Sequence, residues 1–187
     1  MVELVNKKIA ILAEDNYEDL ELWYPLLRLK EAGAEVSVVG MTGVEAYHSK
    51  HDYPVRVDVA ATAVVDADFD AVIIPGGYAP DRMRRHPPML DLVRRIFQRG
   101  DLVAMICHAG WVPISAGIVA GKKVTSTPAI KDDLINAGAQ WVDLEAVQDG
   151  NLISSRRPDD LPAFCQAIIA ALMRKDLEKL PESEESS

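Results

Sequence analysis

The residues best suited to chemistry in this 187-residue chain are a neighbouring cysteine and histidine, Cys107 and His108. Cys107 follows the buried strand predicted at 101–106 and is followed closely by the small residues Ala109 and Gly110, which allow a tight turn. At such a junction between strand and helix a side chain is lifted out of the sheet, as in nucleophile elbows. The helix N-terminus that follows favours a thiolate, so we expect a lowered pKa for Cys107. A buried structural cysteine is the alternative interpretation.

His108 is a candidate base, because covalent catalysis needs a proton acceptor beside the nucleophile. Adjacent residues of a regular helix point about 100° apart, so the pair can work only if the elbow is not yet helical. A solvent-facing histidine near a helix start is the alternative. The chain holds four histidines, none of them in its last third: His48, His51, His86 and His108. This inventory excludes a Cys-His-Glu amidotransferase with a late His-x-Glu.

A carboxyl group and two glycines complete the candidate site. Glu18 begins a predicted helix, and a carboxyl close to a thiolate should have a raised pKa and donate a hydrogen bond to sulfur. A helix-start acid stabilised by the macrodipole is the alternative. Gly76 and Gly77 can bring backbone amides close to a reacting oxygen, and the amide of His108, after Cys107, is a third donor for such an oxyanion hole. A plain turn is the alternative for the glycines.

Nothing in the sequence calls for a metal, a nucleotide or a flavin, so we expect no cofactor. His48 and His51 are close in sequence, but no third ligand accompanies them, and a surface loop is the preferred interpretation. The only other cysteine, Cys165, falls on the apolar face of the last predicted helix. Two cysteines without a C-x-x-C motif give neither a disulfide framework nor a zinc site.

The elements that must position these residues alternate between strand and helix. Strands are predicted at 8–13, 35–39, 70–74, 101–106 and 123–126, and helices at 18–32, 88–99, 108–116, 129–137 and 159–174. Segment 44–61 is predicted as an antiparallel excursion at the sheet edge, and 149–151 as a hairpin turn. This alternation predicts a doubly wound α/β domain with a mostly parallel sheet, in which sites form beyond the carboxyl ends of strands.

Composition narrows the class of protein. Apolar residues make up 49% and charged residues 26%, which is typical of a globular protein. We predict one domain over residues 1–175 and an acidic, disordered tail over 176–187. The net charge of −9 argues against nucleic-acid binding. Since no apolar run reaches the roughly 18 residues of a membrane span and no signal peptide is evident, we expect no membrane association and a cytoplasmic location.

Several motifs together resemble the PfpI-type intracellular protease family, part of the superfamily of the parkinsonism-associated deglycase. They are Cys107-His108 and the segments 18–21 (EDLE), 75–82 (PGGYAPDR), 114–117 (ISAG), 126–133 (STPAIKDD), 135–138 (INAG), 149–151 (DGN) and 154–156 (SSR). Each motif is weak alone, but their order and spacing are specific, and they cover roughly residues 7–173.

The resemblance implies a flavodoxin-like three-layer sandwich with a reactive Cys107. It implies that Glu18 is the protonated carboxyl contacting the sulfur, and that Cys107 and His108 form a triad with an acid from a neighbouring subunit. That acid corresponds to Asp81, where the family has a Glu one methylene longer. The resemblance also implies a homodimer, with a hexamer of three dimers as the larger assembly.

Three functions are therefore expected. The first is a stress-response enzyme of the deglycase or glyoxalase type, in which a Cys107 thiolate adds to reactive aldehydes or glycated protein groups. The second is an intracellular cysteine peptidase that uses Cys107, His108 and the neighbouring subunit's acid at position 81. The third is a redox-sensing or chaperone-like stress protein with an oxidisable Cys107.

Overall fold

The computed structural model describes residues 3–64 and 69–178. Its strands are β1 Lys8–Leu12, β2 Glu35–Gly40, β3 Ala46–His48, β4 Pro54–Arg56, β5 Val59–Ala60, β6 Ala71–Ile74, β7 Leu102–Ile106, β8 Lys123–Val124, β9 Gln140–Trp141, β10 Ala146–Asp149 and β11 Leu152–Ser155. Its α-helices are α1 Asp19–Glu31, α2 Ala79–Met83, α3 Pro87–Gln98, α4 Trp111–Ala116, α5 Lys131–Asn136 and α6 Leu161–Glu178.

A seven-stranded sheet forms the centre of the molecule, in the order β10-β11-β7-β6-β1-β2-β5. Only β10 runs antiparallel to its neighbour, so the predicted mostly parallel α/β sheet is confirmed. β6 and β7 are buried along their whole length, as expected for parallel strands covered by helices on both faces. The three central strands β7, β6 and β1 therefore end side by side at one edge of the sheet.

The excursion predicted at 44–61 is an antiparallel hairpin of β3 and β4, in which Tyr47 pairs with Val55. After it, β5 returns to the main sheet and pairs in parallel with β2. The loop 49–53 at the tip of the hairpin lies beside residues 17–19, because isolated bridges and hydrogen bonds join it to the end of the β1 loop. The hairpin therefore brings residues from outside the main sheet to the start of α1.

Helix α1 presents a different face to the core from the one that its apolar spacing suggested. The helix is predicted from the spacing of Leu20, Trp23, Tyr24 and Leu27, but Leu20, Tyr24 and Leu27 are 56%, 38% and 59% exposed. The sheet is instead contacted by a second stripe with the same spacing, formed by Leu22, Leu26 and Leu29. Since the helix is apolar on both sides, periodicity alone could not decide which stripe is buried.

Two other predicted elements differ from the structure. Residues 107–110 form a 3₁₀ turn rather than the first turn of an α-helix, and α4 begins only at Trp111. The predicted strand 123–126 shortens to β8, which pairs with β9 outside the main sheet.

The last helix reaches Glu178, so the first residues of the predicted tail are helical. The remainder of that tail, 179–187, lies outside the described residues, and the single-domain boundary at 175 stays a prediction. None of the helices in the described ranges is long and apolar enough to cross a membrane. The cytoplasmic location stays a prediction from the sequence.

Candidate active site

Cys107 lies on a sharp, left-handed elbow at the end of β7. Its φ is +63°, a conformation that costs an L-residue roughly 1–2 kcal/mol. Small residues permit the close packing around the turn: a Cβ on Gly110 would lie 2.8 Å from Cδ1 of Ile130. The thiol is partly exposed, whereas that of Cys165 is buried in the core. A strained backbone at a partly exposed nucleophilic side chain is typical of functional sites.

His108 lies next to the sulfur, where a base for the thiol has to be. Because the elbow is not helical, Sγ of Cys107 and Nδ1 of His108 are 3.3 Å apart. The imidazole stacks against Tyr78 and also contacts Trp111, with ring centroids 6.1 and 5.3 Å away. Burial lowers the pKa of His108, so the ring is largely neutral at pH 7 and one of its nitrogens can accept a proton.

The carboxyl group at the sulfur belongs to Glu21. This side chain is fully buried, and its Oε2 accepts a hydrogen bond of 2.8 Å from the backbone N–H of Gly76. Its carboxyl also hydrogen-bonds with the Cys107 thiol, an interaction that contributes to the pKa of both groups. Burial, and then the negative charge of Glu18, raise the pKa of Glu21 to about 7. Oε1 has no hydrogen-bond partner in the described structure, and leaving an ionised oxygen unpaired in a buried site is costly, which also favours a protonated carboxyl.

Glu18 therefore does not have the role that the resemblance implied. Its Oε2 caps helix α1 by accepting the N–H of Glu21 at 2.9 Å, and its Oε1 lies 3.5 Å from Nζ of Lys50. The helix-start alternative is thus the one that the structure contains. A sequence signal for Glu21 does exist, since this acid has the helical spacing of the buried residues Pro25 and Leu29. A charged residue on a buried face is the informative exception to ordinary patterning.

The pKa of the Cys107 thiol moves in the opposite direction from the one expected. Burial, and then the charge of Glu21, raise it to about 12, although the N–H groups of His108 and Gly77 donate to the sulfur and oppose part of the rise. The expected helix N-terminus is missing from the elbow, because α4 starts four residues later at Trp111. Burial and the neighbouring acid therefore dominate.

The two glycines of the β6 loop have separate roles. The N–H of Gly76 is occupied by Glu21, so this amide holds the carboxyl rather than a reacting oxygen. The N–H of Gly77 points at the sulfur, together with that of His108. Gly77 has φ +76°, and a Cβ on it would lie 2.5 Å from the backbone nitrogen of Glu18. Of the three predicted oxyanion donors, the amides of Gly77 and His108 are the ones aimed at the nucleophile.

Asp81 is exposed on α2 and forms an ion pair of 3.3 Å with Arg85. No hydrogen bond or ion pair within the described part of the chain joins it to His108. Its participation in a triad across a subunit interface stays a prediction.

The two loop histidines each pair with a carboxylate. Nδ1 of His48 lies 2.7 Å from Asp52, and Nδ1 of His51 lies 2.7 Å from Asp19. In residues 3–64 and 69–178, no group of three histidine, cysteine or acidic side chains is arranged to hold a metal ion.

The structure is an α/β protein whose parallel sheet ends in a cysteine elbow, with an imidazole and a buried carboxyl at the sulfur. The sequence profile of the DJ-1/PfpI family matches residues 7–171, and the chain belongs to this family. The resemblance stated from the motifs is therefore confirmed.

Individual relatives agree with this assignment. A Pyrococcus abyssi protein named as a deglycase is 46% identical over 166 residues, which cover 88% of this chain and 99% of the relative. An Escherichia coli protein named protein/nucleic acid deglycase 2 is 38% identical over 162 residues, covering 86% and 94% of the two chains. The crystal structure of Drosophila melanogaster DJ-1beta superposes with a TM-score of 0.85 at 32% identity and covers 91% of this chain and 92% of that one. The flavodoxin-like architecture expected from the resemblance is thus confirmed.

Proposed function

We propose that this protein is a cysteine-dependent deglycase or glyoxalase-like enzyme of stress defence, which acts on reactive aldehydes and glycated protein groups through Cys107. The observation that carries the proposal is the contact between the Cys107 thiol and the buried Glu21 carboxyl, whose pKa is raised to about 7. A proton carrier is most effective when its pKa lies near the working pH. The deglycase names of the relatives support the same reaction class.

The nucleophile is generated within the Glu21–Cys107 pair. The charge of Glu21 raises the pKa of the Cys107 thiol, and the hydrogen bond with the thiol lowers the pKa of Glu21, so the two groups are coupled and titrate as a pair that holds a single proton above about pH 7. When that proton resides on Glu21, the sulfur is a thiolate that receives hydrogen bonds from the Glu21 O–H and from the amides of Gly77 and His108. Nδ1 of His108, 3.3 Å from the sulfur, is the second proton carrier of the site.

With methylglyoxal as substrate, the sulfur attacks the aldehyde carbon and a C–S bond forms, while the oxygen takes up the proton to give a hemithioacetal. The hydrogen on that carbon then leaves as a proton to the base, and a proton returns to the neighbouring carbonyl carbon. The former aldehyde carbon is thereby oxidised as the ketone is reduced, so the product is a thioester of lactate and no external oxidant is needed. Water cleaves the thioester, releases lactate and restores the thiol. On a glycated amine or thiol, the sulfur attacks the carbon that bears the aldehyde-derived hydroxyl, a C–S bond to Cys107 forms as the bond to the protein group breaks, and the freed amine or thiol takes up the proton of the Glu21–Cys107 pair. The same hemithioacetal results.

The test is lactate release from methylglyoxal by the wild type and by Cys107→Ala, with Cys165→Ala as the matched control. Cys165 is buried far from solvent and interacts with no group of the site in the described structure. We expect release by the wild type and the control and a loss of at least about a hundredfold in Cys107→Ala. Equal rates for the wild type and Cys107→Ala would remove the proposal.

The Cys107–His108 contact also supports the second function, peptidase or amidase activity, in which Asp81 of a neighbouring subunit orients the imidazole. Asp81→Ala should then abolish hydrolysis of small peptide amides while the assembly survives, and retained hydrolysis would count against it. The third function, redox sensing, is compatible with the first because both use the same sulfur. Mass spectrometry after mild peroxide should find Cys107 oxidised before Cys165, and equal oxidation would refute it.

We propose a homodimer as the working assembly. It is supported by the exposed apolar stripe of Leu20, Tyr24 and Leu27 on α1, since a helix that is apolar on both faces is ordinarily buried on both. Arg28 and Glu31 flank the stripe and can form ion pairs at the rim of an interface. A hexamer of three dimers is the larger assembly to be distinguished by light scattering.

A further inference from the structure

The strongest unassigned feature near the site is a lysine that approaches it from outside the main sheet. Lys50 lies in the loop 49–53 of the β3–β4 hairpin, and its ammonium is 3.5 Å from Oε1 of Glu18. The Lys50 side chain is 39% exposed, whereas that of Glu18 is 11% exposed. An ammonium is therefore placed beside the largely buried carboxylate that begins helix α1.

The backbone and side chains of the loop hold Lys50 in this position. The N–H of Lys50 donates to the carbonyl of Tyr17 at 3.0 Å. The buried hydroxyl of Ser49 donates to Asp19 at 2.6 Å and accepts the N–H groups of His51 and Tyr53 at 3.1 and 3.0 Å. A loop with this many bonds to the start of α1 fixes the lysine with little freedom in its backbone.

From Lys50 a short path leads to the nucleophile. Glu18, which pairs with Lys50, also caps the N–H of Glu21 through its second oxygen, at 2.9 Å. The carboxyl of Glu21 in turn contacts Cys107 and accepts the N–H of Gly76. Each residue of this series interacts with the next, and the charges of both Glu18 and Lys50 act on the Glu21 carboxyl.

The charges that face Glu21 come from three elements. Helix α1 supplies Glu18, whose charge opposes ionisation of Glu21, and the elbow supplies the Cys107 thiol. The loop 49–53 supplies the positively charged Lys50. In the described structure, the charge of Lys50 favours ionisation of Glu21. The β6 loop contributes only the N–H of Gly76. Glu18 and Lys50 therefore act on Glu21 in opposite directions.

We propose that Lys50 is a positioning residue of the cysteine site: by neutralising Glu18 it sets the pH at which the Glu21–Cys107 pair releases its first proton and becomes nucleophilic. The inference deepens the proposed function, on which its catalytic meaning rests, but the proton release itself is independent of the substrate. Lys50 touches no reacting atom, and its action passes through the two glutamates.

The test is the pH dependence of Cys107 alkylation by iodoacetamide, measured between pH 5 and 9 in a Cys165→Ala background so that one thiol is read. The wild-type rate should rise with a midpoint near the pKa of Glu21, about 7. Lys50→Met should move the midpoint up by about half a pH unit, since the lysine is partly exposed and its charge is partly screened. Lys50→Arg, which keeps the charge, should leave the midpoint within roughly 0.2 unit of the wild type.

Glu18→Gln is the matched variant, which should shift the alkylation midpoint in the direction opposite to Lys50→Met. Its amide oxygen can still cap Glu21, but the negative charge is gone, so the midpoint should move down. An unchanged midpoint in Lys50→Met overturns the proposal, and so does a Lys50→Arg midpoint displaced as far as that of Lys50→Met, because a charge-independent effect marks a merely structural loop.

Lactate release by the same proteins separates the two proposals. If the midpoints shift as expected but the wild type releases no lactate, the inference on Lys50 stands and the proposed reaction fails. If lactate is released and the midpoints do not shift, the reaction stands and Lys50 has no positioning role.

Discussion

The wild type should lose stability as the pH rises, and a variant with glutamine in place of Glu21 should not share that loss. Burial raises the pKa of this carboxyl from 4.5 to about 7, so the folded state keeps a proton that the unfolded chain has already released. The wild type thus has the full stabilising contribution of the protonated carboxyl below pH 4.5 and loses it as the pH passes through 7. Glutamine cannot ionise, and its oxygen can still accept the N–H of Gly76.

The size of the effect follows from the two pKa values. Between pH 5 and pH 8 the free energy of unfolding of the wild type should fall by about 2.5 kcal/mol more than that of Glu21→Gln, as linkage between the two pKa values requires. The raised pKa of Cys107 does not enter, because the unfolded thiol ionises near 9, above the chosen window.

Urea unfolding at pH 5 and pH 8 measures this difference. The matched control is Glu31→Gln on the same helix, whose side chain is 76% exposed and pairs with Arg28 at 3.6 Å. The control should follow the wild type within about 0.5 kcal/mol at both pH values, as exposed ion pairs do. If Glu21→Gln shows the same pH dependence as the wild type, the buried carboxyl has an ordinary pKa and the proton-sharing argument is wrong.

Three further predictions follow from the geometry of the site and of α1. Gly76→Ala should lower activity by at least about tenfold and destabilise the fold by about 1–3 kcal/mol in urea unfolding, because its Cβ would lie 2.9 Å from the carbonyl oxygen of Ile106 and would overlap Glu21 Oε2; full activity would refute the close approach. Cys107→Gly should be more stable than Cys107→Ala by about 1 kcal/mol, because glycine tolerates φ +63°, and the reverse order would deny the strain. Leu27→Glu should shift light scattering from dimer to monomer with the near-ultraviolet spectrum unchanged, and an unchanged mass would place the interface elsewhere.

The central strands were predictable because their sequences favour one structure, a parallel strand buried on both faces. The segments that become β6 and β7 are short, wholly apolar and bounded by glycine or polar residues, and parallel strands buried on both faces need that composition. The location of the site follows from the same reasoning, since Cys107 and the two glycines stand where these strands end.

The identity of the carboxyl could not be obtained in the same way. Glu18 and Glu21 lie within one helical turn, and which of them enters the core depends on how α1 rotates against the sheet. That rotation selects the stripe of Leu22, Leu26 and Leu29 over the stripe of Leu20, Tyr24 and Leu27, a choice made by packing rather than by spacing. The direction of the thiol pKa was missed for a related reason, because burial and the charge of a residue 86 positions earlier are tertiary effects.

The reacting groups of the site and the charge proposed to adjust their proton release come from different parts of the fold. Helix α1, which follows β1, supplies Glu21, and the loops after β6 and β7 supply the two glycines and Cys107. The three strands are adjacent and in parallel register, with Ile9 beside Ala71 and Ala71 beside Leu102. A change that moved one of these loops would have to move a buried strand, which is costly. The loop 49–53 is attached by hydrogen bonds and ion pairs at the surface, so changes at Lys50 can alter the charge around the pair without disturbing the sheet. Differences in working pH among proteins with this site are therefore expected to map to that loop.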